Sequence, residues 1–278
     1  MSDVPEPLPP PAAPLVDPAE LRSWVLLDTG QLLVLDKPGW LVVHPSKRGP
    51  WSSLAGAVRE EFKLETIRFI HRLDRETSGI IILAKTAEIG SRLQKAMGRR
   101  LIGKAYVVLL EGALGGTVRV DQPLGPDSSA NVTVKSRVVP PGAGGQEAIT
   151  VLHPLAVAGG FTLAGVELLT GRKHQIRAHA EWLGHRVVGD KLYGPDPGLY
   201  LEFATQGWTA RHSFLLPLTR QALHCAAVDL RPAGMDYVLR APWPADLARF
   251  AVRRMDLPAP DAQALIDAFV ARVLPGLT

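Results

Sequence analysis

The chain has 278 residues, 46% of them hydrophobic, which is enough for a sizeable core in one large domain or two small ones. A formal net charge of +4 and a pI near 9.3 admit a polyanionic partner without requiring one. The one cysteine, Cys225, excludes an internal disulfide and a thiolate metal cluster, and no apolar run approaches the ~20 residues of a membrane span.

Met1 to about Pro18 carries seven prolines and reads as a disordered or polyproline-like tail that adds nothing to the core. It has neither the basic n-region nor the apolar h-region of an export signal, so a soluble, cytoplasmic chain is expected. In QLLVLDKPGWLVVHPS, the runs LLVL and WLVV flank Lys37-Pro38-Gly39 and predict a strand pair. Ser52 is the expected N-cap of a helix running to about Lys63. Thr86 is that of a second helix, to about Met97, with Glu88 in its first turn.

Between these helices, IRFI (67–70) and GIIILA (79–84) predict buried strands joined by a tight connection, HRLDRETSG (71–79). Asp74 there sits between Arg72 and Arg75. Flanking guanidiniums favour the anion at neutral pH, which suits a nucleophile or electrostatic partner better than a general acid. From these nine residues alone, a salt-bridged loop aspartate is the simpler reading. In SRLQKAMGRRLIGK (91–104), five positive charges stand without an acid, and Arg92, Lys95 and Arg99 share a helix face spaced to follow a phosphate backbone. Tyr106 follows at once; it reads as a core residue, or as a stacking partner for an unpaired base.

AYVVLLEG, GTVRVDQPLG, NVTVKSRVV, EAITVLHPLA and FTLAGVELLTG predict consecutive strands of an antiparallel or mixed sheet, with PPGAGG (140–145) as a loop. From Leu168 to Gly194 a strand ends at Thr170-Gly171 and a helix runs to a C′ glycine, Gly184. Ile176, Ala180 and Leu183 form its core stripe, leaving Arg172, Lys173, His174 and Arg177 crowded around the first turns. Cations there oppose the helix dipole, so they are expected to meet an anion, either a carboxylate of this chain or a phosphate of a ligand; a solvated basic face is the alternative. His174 and His179, five apart, face different ways and do not make a zinc pair. No P-loop or dinucleotide fingerprint is present, so no nucleotide cofactor is expected. After Pro242, helices are predicted at Asp246 to Arg254 and Ala262 to Leu274, the latter stopped by Pro275-Gly276.

Four blocks in order, DKPGWLVVHPS (36–46), HRLDRETSG (71–79), KAY (104–106) and TGRKHQIRAHAEWLGHRVVGDKLYG (170–194), make about Leu21 to Leu230 resemble the RluA family of RNA pseudouridine synthases. The resemblance implies an α+β pseudouridine synthase fold: a mixed, mainly antiparallel sheet with flanking helices and a central RNA-binding cleft. The tail would span 1–19, the catalytic domain 20–241, and a helical extension packed on it 242–278. Asp74 would be the catalytic aspartate, Tyr106 the tyrosine against the target base, and Arg177 the basic partner of the aspartate. Arg72 would fill the gap left by a flipped nucleotide and Ile176 would line the base pocket. Arg172, Lys173 and His174, with Arg92, Lys95 and Arg99, would contact RNA. Lys173 and Lys191 stand where threonine and proline are more usual, adding positive charge toward RNA.

The implied reaction breaks the N1–C1′ bond of uridine and joins C5 to C1′, so it needs no metal or other cofactor. Attack at C6, attack at C1′ and abstraction of the 2′ proton all stay open for Asp74. The implied partner is ribosomal or transfer RNA, met by a monomer without a membrane. A non-catalytic RNA-binding module would be marked by loss of the aspartate, which is present. A glycosidic hydrolase would want a second carboxylate of raised pKa, which the arginine-rich setting disfavours.

Overall fold

The structure, a computed structural model, describes residues 14–45, 48–127 and 132–274. Helix α1 (Pro18–Ser23) starts on Asp17, whose carboxylate accepts a 2.7 Å bond from the Ala19 N–H, with proline at the first helical position. Val16 is buried and its N–H donates to Trp51 O at 2.7 Å. The expected tail, assigned to residues 1–19, is therefore wrong from Val16 onward: Asp-Pro-Ala-Glu is a helix start, and it pins the preceding valine to the core. Residues 1–13 of that tail lie outside the described residues.

Strand β1 (Val25–Asp28) pairs with β2 (Leu32–Lys37). The expected pairing partner of β2, Trp40 to Val43, is not a strand. Its carbonyls at Val42 and Val43 accept the N–H groups of Leu54 and Ala55, at 2.9 and 3.1 Å, where α2 (Leu54–Phe62) begins. Backbone committed to a helix N-terminus cannot also join a ladder. Ser53 rather than Ser52 caps α2, and Ser46 lies outside the described residues. Next come β3 (Arg68–Phe69), the wholly buried β4 (Ser78–Ala84), α3 (Ala87–Gly98) capped by Thr86, and β5 (Gly103–Glu111).

Pro123 cannot donate to a ladder, and GTVRVDQPLG accordingly splits into β6 (Val118–Asp121) and β7 (Leu124–Pro126). NVTVKSRVV yields only β8 (Ser136–Val138), paired with β7 in a separate ribbon; Asn131 is outside the described residues. β9 (Ile149–Ala158) and β10 (Phe161–Leu168) form a hairpin that leads into α4 (Gln175–Trp182). Two short helices, α5 (Gly198–Gln206) and α6 (Ala210–Leu215), precede β11 (Leu223–Asp229) and β12 (Val238–Arg240). Helices α7 (Ala245–Met255) and α8 (Ala259–Val273) close the described chain, and Pro275-Gly276 falls beyond it.

Among the described residues, ten strands form one sheet in the order β1-β2-β4-β11-β5-β10-β9-β6, with β3 on β4 and β12 on β11. All pairs in it are antiparallel except β4 with β11, so the fold is the mixed, mainly antiparallel α+β class expected. Helix α8 docks tightly: a Cβ on Gly165 of β10 would lie 2.5 Å from the Phe269 ring. Phe250, Ile266 and Phe269 join the same core as the central strands.

The parallel pair carries a stringent position. Gly79 faces Cys225 across it with φ +104°, and a Cβ there would stand 2.3 Å from the Cys225 carbonyl oxygen. Both the backbone conformation and the close approach exclude a side chain. Gly79→Ala is expected to cost at least about 2 kcal/mol of unfolding free energy, read as a lowered urea midpoint; an unchanged midpoint would contradict the pairing.

Candidate active site

β3 ends at Phe69 and β4 begins at Ser78, and the connection between them turns through Asp74, whose carbonyl accepts the Thr77 N–H at 3.1 Å. Asp74 thus stands on a short bridge between two strands of a buried sheet, which fixes its backbone. Its sequence neighbours do not pair with it. Arg72 places Nη1 2.7 Å from His44 Nε2, and Arg75 donates Nε–H to Trp40 O at 3.2 Å. The expectation that flanking guanidiniums hold Asp74 ionised is therefore wrong about the source of the charge, because adjacent side chains on this turn diverge.

The charge comes from 103 residues away: Arg177 Nη1 donates to Asp74 Oδ2 at 2.7 Å. Burial works against the Asp74 anion, but Arg177, with His174 and a hydrogen bond from Gln221, outweighs it and holds the carboxyl below its ordinary range. Asp74 is ionised at neutral pH and cannot serve there as a proton donor. His174 Nε2 lies 3.9 Å from Asp74 Oδ1. Burial and the nearby Arg177 lower its imidazole to about 4, so at neutral pH the contact is not an ion pair.

Arg177 is aimed by a second acid that sequence reasoning assigned no role. Asp190, fully buried, accepts from Arg177 Nε at 2.6 Å and Nη2 at 2.9 Å. Its Oδ1 also takes the N–H groups of Leu192 and Tyr193, at 2.9 and 3.0 Å. The fork-on-fork pair fixes the guanidinium plane and leaves Nη1 to meet Asp74. Tyr193 lies beneath it, its ring 4.8 Å from the guanidinium carbon.

Local structure around α4 departs from the expected picture. Arg172, Lys173 and His174 occupy the turn before the helix rather than its first turns, because His174 adopts a left-handed conformation (φ 55°) as the N-cap. Gln175 locks that turn: its Oε1 accepts from Thr170 Oγ1 and Arg172 N, and its Nε2 donates to Ile149 O and Thr150 Oγ1. Ile176 and Ala180 are buried as expected, but so are Arg177 and His179, which makes α4 a core helix with a charged residue inside. His179 bonds Thr150 and Gln122 O, and His174 bonds the Tyr193 hydroxyl, so the two histidines serve unrelated partners.

Asp74, Tyr106, Ile176, Arg177, Arg72, Arg172, Lys173 and His174 all line one cleft of about 810 Å³. Tyr106 is nearly buried in its wall, and burial, with Cys225 beside it, raises its phenol well above the ordinary range. Arg92, Lys95 and Arg99 do not line this cleft. They border a separate depression with Pro232 and Ala233, where Arg92 donates to the Ala233 and Gly234 carbonyls. Lys191 is also not a free cation: it is buried, donates to Glu76 and Thr219 O at 2.7 and 2.6 Å, and so adds no charge toward RNA.

Three cleft residues, and a lysine behind the Asp74 loop, escaped the sequence reading in whole or part. Gln221 donates to Thr77 Oγ1 at 2.6 Å and supports Asp74. Lys104 carries an ammonium whose pKa burial lowers. His71 is buried with no partner on either ring nitrogen, and burial with Lys104 nearby lowers it to about 3. Lys37, behind the loop, is fully buried and donates to Pro38 O, Leu41 O and Arg75 O at 2.7, 2.9 and 3.0 Å, stapling the DKPGW turn to the Asp74 loop.

Burial, with Arg220 close by, brings the Lys37 ammonium from 10.5 down to about 7. Between those values the unfolded chain binds more protons than the folded one, so the contribution of this group to stability rises with pH across that window. The wild-type urea midpoint is expected to climb relative to that of Lys37→Met between about pH 7 and pH 10. A pH-independent difference would show that the ammonium is not desolvated.

Residues 31–182 match the family model described as RNA pseudouridylate synthase. Over 234 residues the chain is 32% identical to a Bacillus subtilis protein named uncharacterized RNA pseudouridine synthase YhcT, covering 80% of this chain and 69% of that one. It is 31% identical over 246 residues to ribosomal large subunit pseudouridine synthase D of Nitrosomonas europaea, covering 84% and 66%. Among solved structures, human RNA pseudouridylate synthase domain containing 4 shares the fold with a TM-score of 0.63 at 20% identity, over 87% of this chain and 97% of that one. The chain belongs to the RluA family of RNA pseudouridine synthases.

Proposed function

We propose that the chain isomerises chosen uridines to pseudouridine in structured ribosomal or transfer RNA, with Asp74 as the essential group and the target base flipped into the cleft. The observation that carries this reading is the pairing of Asp74 with Arg177 beside Tyr106 and Ile176 in one cleft. An ionised carboxylate with one oxygen tied to a guanidinium keeps the other free to act on the base or sugar. A base taken out of its stack meets the Tyr106 ring and the Ile176 side chain, while Arg72, exposed at the rim, is placed to fill the gap it leaves. Burial keeps the Tyr106 phenol protonated, so Tyr106 serves the base as a packing partner and the C5 proton leaves to another acceptor at the end.

Arg172 and Lys173, exposed on the rim, and Lys104 within the cleft supply positive charge along the RNA path. Arg92, Lys95 and Arg99 would extend it only if the RNA wraps beyond the cleft. Residues 16–241 act as the catalytic unit and α7 and α8 as an extension on its sheet, the chain working as a monomer in the cytoplasm. Among the described residues no helix is long and apolar enough to cross a membrane. Mapping pseudouridines in ribosomal and transfer RNA from wild-type and deletion cells tests the assignment: a site lost on deletion and restored by the wild-type gene names the substrate. Identical maps would refute it.

A further inference from the structure

A second pocket of about 530 Å³ lies on the other side of the catalytic loop, sharing Arg75, Glu76 and Phe203 with the Asp74 cleft. Its walls are indoles from three separate parts of the chain: Trp24 after α1, Trp40 after β2 and Trp243 before α7. All three are only partly buried, and Trp24 and Trp40 meet edge to face with centroids 6.2 Å apart. Asp36 also lines it. Burial holds the Asp36 carboxyl up at about 6, against the pull of Lys37 and Arg220.

Those two cations are engaged elsewhere. Lys37 spends its ammonium on three backbone carbonyls, and Arg220 makes a two-point pair with Asp246 at 2.6 and 2.9 Å. Among the described residues no group donates a hydrogen bond to the Asp36 carboxylate. The buried indole N–H of Trp243 likewise has no partner. The pocket thus combines aromatic side chains with a partly exposed carboxylate that no described group bonds, beside the cleft proposed to take RNA.

We infer that this pocket binds an unpaired guanine of the same RNA, stacked on the tryptophans with its N1–H and N2–H donated to the two oxygens of Asp36. The inference rests on RNA being the substrate. Among the bases, guanine alone presents two adjacent donors on its Watson–Crick edge; adenine and cytosine set one donor beside an acceptor, and uracil sets one donor between two acceptors. An acceptor-only carboxylate selects the first pattern and repels the others. Stacking on tryptophan supplies affinity that is tolerant of sequence, and Asp36 supplies the choice. The pocket lies within a short reach of the flipped uridine, so it reads a neighbouring base.

The test titrates full-length protein with GMP, IMP, AMP, CMP and UMP while following tryptophan fluorescence. No tryptophan lines the Asp74 cleft, but Trp208 packs on Lys191 of that cleft, so the quenching is assigned to the second pocket by its loss in Trp40→Phe. GMP is expected to bind about tenfold more tightly than IMP, which lacks the N2 amino group, and than the other three, the lower end of what a two-point edge contact discriminates. Asp36→Asn is expected to abolish that preference. Equal binding of GMP and IMP, or an unchanged preference in Asp36→Asn, would overturn the assignment, and the IMP comparison needs no variant to fold. Quenching by a synthetic peptide of residues 1–13 but not by GMP would also overturn it, giving the pocket to the segment that precedes Pro14. Tritium release from C5-labelled uridine in RNA, run on the same preparation, keeps the two readings apart. Release without guanine preference removes only the pocket assignment, whereas absence of release removes the catalytic one.

Discussion

Asp74→Asn is expected to fold, to bind RNA and to release no tritium from C5-labelled uridine, a loss of at least about a thousandfold. Folding survives because the substitution leaves the stronger half of the ion-pair system intact: Arg177 keeps both bonds to Asp190. The amide also fills the carboxylate's volume and can still accept from Nη1. What it lacks is the negative charge and the nucleophilicity that Arg177 preserves in the wild type against the cost of burial. RNA affinity is expected to change less than tenfold, since Arg172 and Lys173 on the rim are untouched. Substantial tritium release by this variant would move the chemistry to another residue.

Arg177→Met is expected to abolish release as well, but through a different balance. Asp190 would keep only the Leu192 and Tyr193 N–H groups while remaining fully buried and charged. Breaking a buried pair by removing one partner costs about 3–5 kcal/mol, so the variant should unfold at markedly lower urea. The double variant Arg177→Met/Asp190→Asn removes the stranded charge and is expected to regain most of that stability without regaining activity. A double variant that recovers release would reduce Arg177 to scaffolding. A single variant as stable as wild type would contradict the pair with Asp190.

The contrast between these two residues marks what the sequence made legible. Asp74 was readable as an ionised carboxylate, yet for the wrong reason: Arg72 and Arg75 adjoin it in the chain and turn away in space. The right partner, Arg177, came only through the resemblance, because a contact spanning 103 residues leaves no local periodicity. Asp190 stood in the quoted block as part of GDKLYG and drew no role, since nothing local distinguishes a buried acid that grips an arginine from a loop aspartate. The helix at Thr86, the helix placed one residue early at Ser52, and the strands β9 and β10 were legible because caps and strand patterns are local rules. Trp40 to Val43 misled for the converse reason: a β-rich pattern reports burial, and here the backbone that carries it was needed to start α2. Asp17-Pro18 was a readable helix start, overlooked within a stretch dominated by its proline content.

The single parallel pair has one more effect, on the order in which the protein can be made. β11 lies between β4 and β5, so the strands that carry the Asp74 turn and Tyr106 are neighbours only through a segment beginning at Leu223. While the chain is being synthesised, the edge of β4 at Ser78 and Gly79 waits for its partner through about half the length of the polypeptide. Closing so long a loop is slow and leaves apolar backbone exposed meanwhile. A nascent chain that stops short of β11 therefore has Asp74 but lacks the strand that joins its turn to Tyr106, and with it Gln221 and Leu223 of the cleft wall.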